Sequence, residues 1–480
     1  MAGIGFELKK IYRKDGISRS LVGATYSSVI TIGPTILVIV AIILLYLFLG
    51  MSNVGMYKRE VLSCTILYIF IFSVILTSPF NSVFSRYLAD KFYTKQTDDI
   101  LCSYYTGILL VSAISMVMAL PVLFSMYFKG GLDLPYVLAA YAMWASAVII
   151  FFSITYLHAT KDYKVIALFF LIAMVVGSLT AWLIYRFTWW DQIHSIIYGL
   201  AVGFFIIAFC EFSYIRFYFK GSGQNYTECL AYLWRFRRIF FTNLFYILGL
   251  YVHNFVFWTI PSRLSIANTF ICHQGYDMAT CLAMFTNIST TVIFTVLAET
   301  RFHETYQDYM EGVIGATYKV IQKNKKIMFR TLSQQFGQVF GLQIAITSVI
   351  FLFLEIFGIQ IGFSSLTMKI YPVLAASYHG VFVMYCNIVY LYYFEDTFGS
   401  MMTGFIFCFV TFIGSLISKE FSSQFWGVGL FAGQFAAMIY GYIRLRHVER
   451  DFESHIFCRY RIIATMKSSE KGKVVYKKGV

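Results

Sequence analysis

The chain has 480 residues, of which 59% are hydrophobic, 19% aromatic and only 13% charged, and it carries a formal net charge of +14 at pH 7. This composition excludes an ordinary soluble domain and belongs to a protein built for a bilayer. The positive charge requires no nucleic acid, because basic flanks retained on the cytoplasmic side of a membrane account for it.

A helix needs roughly 20 apolar residues to cross about 30 Å of hydrocarbon, where lipid offers no partner for an unpaired backbone group. Twelve runs meet that requirement, at residues 21 to 50, 61 to 84, 101 to 128, 134 to 157, 165 to 185, 193 to 215, 239 to 260, 281 to 298, 336 to 357, 371 to 394, 401 to 418 and 424 to 443. The expected fold class is therefore all-α, a polytopic membrane protein of about twelve transmembrane helices. With the N-terminus inside, the cytoplasmic gaps hold 31 of the 38 Lys and Arg residues and the outer gaps hold 7. Both termini are accordingly expected in the cytoplasm, since a missed or invented span would invert every later gap.

At the start of the chain, MAGIGFELKKIYRKDG is charged and the first apolar run is long enough to span, so no cleavable signal peptide is expected. Gly33-Pro34 lies within the first span, where proline frees a carbonyl and opens a bend that serves as a hinge or a static kink. The second span ends in NSVFSRYLAD, placing Arg86 at the inner boundary. Asp98 and Asp99 in KQTDDI resemble the acidic pairs that bind metals in sugar transferases, but they sit beside Lys91 and Lys95 in a short gap and read as a solvated loop. Glu211 falls in the inner third of the sixth span, and an acid at that depth normally faces a bundle interior or a water-filled path.

Six crossings return a chain to its starting face, so twelve spans divide into parallel halves. The expected organisation is a six-helix bundle over 1–220, a second over 221–444 and a basic cytoplasmic tail over 445–480, with 216–238 joining the halves. The tail also suits anionic lipid at the inner surface.

The seventh span carries YVHNFVFW, a polar pair inside an apolar run. Asn243, Tyr246, Gly249 and His253 recur at spacings that put them on one helix face, with Asn254 beside them. That stripe is either a substrate path or a set of interhelical hydrogen bonds. The next outer loop, Pro261 to Thr280, is the longest at about 20 residues and leaves no room for an outer catalytic domain. Cys272 and Cys281 lie in or beside it and read as free thiols that an oxidising exterior would let pair.

The eighth span ends in FTVLAETRFHE, a weak echo of the second, with Glu299 and Arg301 as inner boundary charges or an inner gate alongside Arg86. Beyond Arg301, apolar or aromatic residues at Phe302, Tyr306, Tyr309, Val313, Val320 and Ile327 alternate with Lys319, Lys323, Lys325, Lys326 and Arg330, the pattern of an amphipathic helix on the inner membrane surface. Glu355 stands near the outer end of the ninth span. In the tenth, Tyr371, Tyr378, Tyr385 and Tyr392 repeat every seven residues with His379 and Asn387 alongside, a face that suits sugar rings and equally a packed seam.

The phosphate loop, the dinucleotide fingerprint, H-E-x-x-H and G-x-S-x-G are all missing from the sequence. No cofactor, no metal and no catalytic residue is expected.

Five stretches taken together resemble the inner-membrane transporter family of the Pel exopolysaccharide system. They are MAGIGFELKKI (1–11), TSPFNSVFSRYLADKFY (77–93), ATKDYK (159–164), HNFVFW (253–258) and YDMATCLAMFTNI (276–288) with its continuation VIFTVLAETRF (292–302). The resemblance implies the multidrug/oligosaccharidyl-lipid/polysaccharide exporter fold, with two six-helix bundles around a central cavity that alternate between inward-open and outward-open forms. It also implies a hexosamine-rich, partly deacetylated and hence cationic polysaccharide as substrate. The implied partners are a cytosolic glycosyltransferase and membrane subunits that include a cyclic-di-GMP receptor.

The expected function is thus export of that polysaccharide across the bacterial inner membrane without covalent chemistry. The substrate path would draw on His253, Asn254, Asn243, Tyr246, Glu211, Tyr378, His379 and Tyr385. The alternatives are a lipid-linked oligosaccharide flippase or a cation-coupled antiporter of the same superfamily and, from other classes, a membrane glycosyltransferase or a recruiting scaffold. Fold by itself does not choose cargo.

Overall fold

The computed structural model describes residues 37–160, 162–221, 223–297 and 301–455. Its first part contains α1 (Leu37–Phe48), α2 (Met56–Thr94), α3 (Ile100–Phe124), α4 (Leu134–Thr160), α5 (Tyr163–Phe187) and α6 (Gln192–Tyr218). A short α7 (Glu228–Arg235) lies in the connection to the second part. There α8 (Arg237–Phe257) leads into a hairpin, β1 (Leu264–Ile266) and β2 (Phe270–Cys272), and then into α9 (Gln274–Leu297). The chain continues through α10 (His303–Gly315), α11 (Tyr318–Ile361), α12 (Ser365–Tyr393), α13 (Thr397–Ser418) and α14 (Val428–Arg450).

Among the described residues, ten helices are long and apolar enough to cross a membrane. The other two expected spans are represented by α1, the described end of the first, and by the 24-residue α9. The hairpin is the departure from an all-α chain. It occupies the loop between α8 and α9, where Leu264 pairs with Cys272 and Ile266 with Phe270.

Packing repeats at an interval of six spans. In the first half α4 lies against α2, α3 and α6. In the second half α12, the tenth span, lies likewise against α9, α11 and α14. The pairs α5–α6 and α13–α14 correspond as well, and both meet through glycine. A methyl on Gly199 would lie 2.5 Å from the Gly177 carbonyl oxygen, and one on Gly429 would lie 2.3 Å from the Ser415 amide nitrogen. Gly199–Gly203 and Gly429–Gly433 are both G-x-x-x-G, the spacing that lets helix backbones touch where lipid supplies no hydrophobic drive between helices.

Buried apolar helix side chains gather within each half, and the hairpin joins the cluster of the first. One cluster extends from Val38 through Phe219 and Cys229 and takes in the hairpin residues Ile266, Phe270 and Cys272. Two others lie within the second half, one from Tyr246 to Ala437 and one at the end nearer α10, from Phe294 to Phe452.

The stretch after Arg301 is two helices rather than one. The short α10 is followed by the basic start of α11, which runs unbroken into the ninth span over 44 residues. At 1.5 Å per residue that is about 66 Å, roughly twice the hydrocarbon thickness, so the basic turns project beyond it. They pack on the end of α14. Lys325 Nζ lies 2.8 Å from Glu453 Oε2, and Phe452 meets the rings of Tyr309, Phe329 and Phe394. Leu445, Val448 and Phe452, assigned from sequence to the tail, are buried there.

Candidate functional site

The two polar stripes read from the sequence face each other. The seventh and tenth spans run in opposite directions, so ascending positions on α8 meet descending positions on α12. Asn243 Nδ2 donates to Tyr392 Oη at 3.2 Å, the Tyr246 and Tyr385 rings lie 4.8 Å apart, and His253 Nε2 lies 3.1 Å from Tyr378 Oη. The fourth tyrosine, Tyr371, bonds Thr286 on α9 at 2.9 Å.

Hydrogen-bond accounting fixes the tautomer of His253. Tyr378 Oη donates to the Leu250 carbonyl at 3.1 Å, so it accepts from His253 Nε2–H. His253 Nδ1 then accepts from Tyr276 Oη at 2.8 Å. Both ring nitrogens are thus satisfied with a neutral, fully buried imidazole. The His-Asn pair is polar because it ties α8 to α9 and α12.

Asn254 belongs to a second cluster whose centre the sequence reading missed. Asp277 Oδ1 accepts from Asn254 Nδ2 at 2.7 Å and from Trp258 Nε1 at 3.0 Å, while Oδ2 accepts from the His273 amide at 2.9 Å. Thr280 adds a bond to Asn254 at 3.3 Å. His273, beside this acid between β2 and α9, has its pKa lowered by burial, with the Asp277 charge acting in the opposite sense. The sequence does not single out Asp277 because the eighth apolar run begins at residue 281, whereas α9 begins at Gln274 and buries its first turns. Asn287 and Gln343 were missed for a similar reason, as isolated amides on apolar helices. They meet at 3.1 Å between α9 and α11.

The remaining candidates are scattered. Glu211 is fully buried on α6 in the other half, with neither carboxylate oxygen hydrogen-bonded to the described protein atoms. His379 on α12 turns away from the ladder onto Phe340, with ring centroids 4.8 Å apart. Asn387 donates to the Met438 carbonyl at 3.3 Å, and Glu355 is exposed. Asp98 and Asp99 pack on the connection between halves, where the Asp98 carbonyl accepts from Gly223 and Asp99 meets Lys91 at 3.2 Å. Arg301 is exposed. Gly33, Pro34 and Glu299 lie outside the described residues.

The joint between the halves runs along α2 and α8. On the side of the hairpin, Tyr68 stacks on Trp258 at 5.2 Å and Phe72 on Phe255 at 5.7 Å. Towards the other end Phe80 meets Phe240 edge-on at 5.2 Å. At the end away from the hairpin Arg86 lies 3.3 Å from Asp90 on its own helix and reaches Glu395, in the α12–α13 turn, at 3.4 Å. Of the expected gate charges, Arg86 therefore bridges the halves.

The PelG exopolysaccharide exporter (EPS-E) family model matches residues 1–457. Solved structures with a similar fold include the outward-facing form of a multidrug resistance MATE family transporter of the MOP superfamily. Its TM-score is 0.60 at 12% identity, covering 90% of this chain and 97% of that one. The Vibrio cholerae MATE transporter VcmN in its bent form has a TM-score of 0.60 at 13% identity, covering 94% and 99%. A MOP superfamily transporter from Pyrococcus furiosus has a TM-score of 0.59 at 13% identity, covering 90% and 97%. Likeness at this identity establishes the fold. No curated protein matches the chain in sequence.

Proposed function

The chain belongs to the PelG exopolysaccharide exporter family, and we propose that it moves an exopolysaccharide across the cytoplasmic membrane through the joint between its halves. The observation that carries this reading is the division of the helical cores between the halves, which meet along α2 and α8 and through the hairpin that packs into the first half. Bodies with separate cores rock against one another without losing their own packing, which is what alternation between two accessible forms requires.

Along the seam the polymer would meet aromatic rings and amides suited to sugar. Asn243 and Tyr385 are partly buried and are the ladder members best placed to contribute, while His253, Asn254, Tyr246 and Tyr378 hold the surrounding helices. Glu211, buried in the other half, and His379 are the titratable groups from which any coupling would draw. No bond-making step is assigned to the chain.

The cargo in this reading is the cationic, hexosamine-rich polymer of a Pel-type system, delivered by a cytosolic glycosyltransferase with membrane subunits that include a cyclic-di-GMP receptor. The protein sits in the inner membrane with both termini inside. The basic turns of α11 support attraction to anionic lipid, with Lys319, Lys323, Lys326 and Arg330 lining one shallow cleft.

The test is surface polysaccharide in a deletion strain, with and without the wild-type gene restored. Export predicts loss of surface polymer in the deletion and recovery on restoration. Undiminished surface polymer in the deletion rejects the reading.

A further inference from the structure

Cys64 and Cys272 come from different halves, one on α2 and the other at the end of β2, and their Sγ atoms lie 3.5 Å apart. The residues are only 4% and 6% exposed, and both stand as free thiols. Each is held by more than its own rotamer. Tyr68, one turn on from Cys64, accepts from the Ile271 amide at 2.9 Å and donates to the Ile271 carbonyl at 2.8 Å. Tyr68 also lies edge-on to Phe270 with centroids 5.0 Å apart, and Cys272 is paired in register with Leu264. The hairpin tip is tied to the same half through Ser125 and Thr269 at 3.1 Å. Closing to an S–S distance of about 2.05 Å brings the two Sγ atoms together by roughly 1.5 Å.

The distribution of Lys and Arg places the start of α2 and the hairpin on the outer face, the side where disulfides form and persist. Cys102 and Cys229 lie near the inner ends of their helices, where thiols stay reduced.

We propose that Cys64 and Cys272 form a disulfide that joins the two halves covalently at the outer face. Two thiols lose two protons and two electrons as the S–S bond forms. The acceptor is the disulfide of an extracytoplasmic thiol–disulfide exchange protein, which leaves as a dithiol through a mixed-disulfide intermediate. Once made, the bond ties the hairpin of the second half to α2 of the first and turns that contact into a fixed pivot about which the halves rock. The inference rests on the outward orientation adopted above for this face.

The experiment uses the full chain in membranes of cells with a working extracytoplasmic oxidation pathway. The protein is denatured without reductant in the presence of iodoacetamide, digested under non-reducing conditions and mapped by mass spectrometry. The expected result is a linked pair of peptides carrying residues 64 and 272, two hydrogens lighter than their sum. The pair should vanish in Cys64→Ser, while Cys102 and Cys229 are recovered alkylated. Full alkylation of Cys64 and Cys272 in the wild type overturns the proposal.

A parallel Ser265→Cys variant, at an exposed position on β1, is treated from outside spheroplasts with a membrane-impermeant maleimide. Labelling confirms the side, so that alkylated Cys64 and Cys272 then reject the disulfide and leave the export reading untouched. No labelling rejects the outward orientation and the disulfide with it.

Discussion

His253 and Tyr378, 125 residues apart in the chain, meet at 3.1 Å inside the second half, and the donor Tyr378 gives to Leu250 forces the histidine to donate there. The imidazole therefore acts as a neutral strut between α8, α9 and α12. His253→Ala removes the acceptor of Tyr276 and the donor to Tyr378 and opens a cavity, and a loss of about 2–4 kcal/mol is expected from hydrogen bonds of roughly 0.6 kcal/mol each plus the void. Tyr378→Phe should cost about 1 kcal/mol. Thermal unfolding in detergent measures both. Export should fall only in proportion to folded protein, and a His253→Ala protein of undiminished stability that fails to export would make the residue part of the path instead.

Asp277 gathers donors from Asn254, Trp258 and the His273 amide. In Asp277→Asn one oxygen becomes an NH2 group that opposes one of those donors. A destabilisation of about 1.5–3 kcal/mol is expected, from the range for hydrogen bonds to charged groups. Unchanged unfolding temperature would show that the cluster is not held by the carboxylate.

The glycine contacts of α5–α6 and α13–α14 make matched predictions. Valine at Gly199 or at Gly429 drives side-chain carbon into backbone atoms within 2.5 Å or less. Each should cost about 2 kcal/mol or more, because backbone cannot give way as a flexible side chain does. Yield of monodisperse protein should drop for both variants. Full tolerance at one site alone would break the correspondence between halves.

Arg86 and Glu395 form an exposed ion pair, which is worth little to stability. Glu395→Gln should therefore leave the unfolding temperature nearly unchanged. Its effect belongs to the balance between open forms, read as a change in cysteine accessibility along α2 and α8 from the inner side. Accessibility identical to wild type would remove the pair from any gating role.

Burial of Glu453 works against its charge, but the bonds from Lys325 and Gln322 prevail and hold its carboxyl below the ordinary glutamate value of 4.5. A lowered acid contributes stability that is complete above its unfolded pKa and is lost as pH falls from there through the folded value. Docking of residues 452–455 on α11 should accordingly weaken below about pH 4.5, as hydrogen exchange corrected for its intrinsic pH dependence would report. Glu453→Gln should abolish that dependence, and persistence of the same pH profile in the variant would assign it to another group.

The membrane class and the approximate places of ten spans were legible in the sequence alone, because hydrocarbon tolerates neither open backbone nor stray charge and so writes its demands into local composition. The stripes on α8 and α12 were legible for the same reason, since each is a periodicity along one helix. That they face one another, that Asp277 and not His253 centres the cluster beside the hairpin, that His379 and Glu211 stand apart from both, and that Cys272 approaches Cys64 rather than Cys281, were decided only in the tertiary structure. Such contacts join residues separated by up to 208 positions. They depend on helix rotation and register, which side chains from several helices settle jointly when they pack.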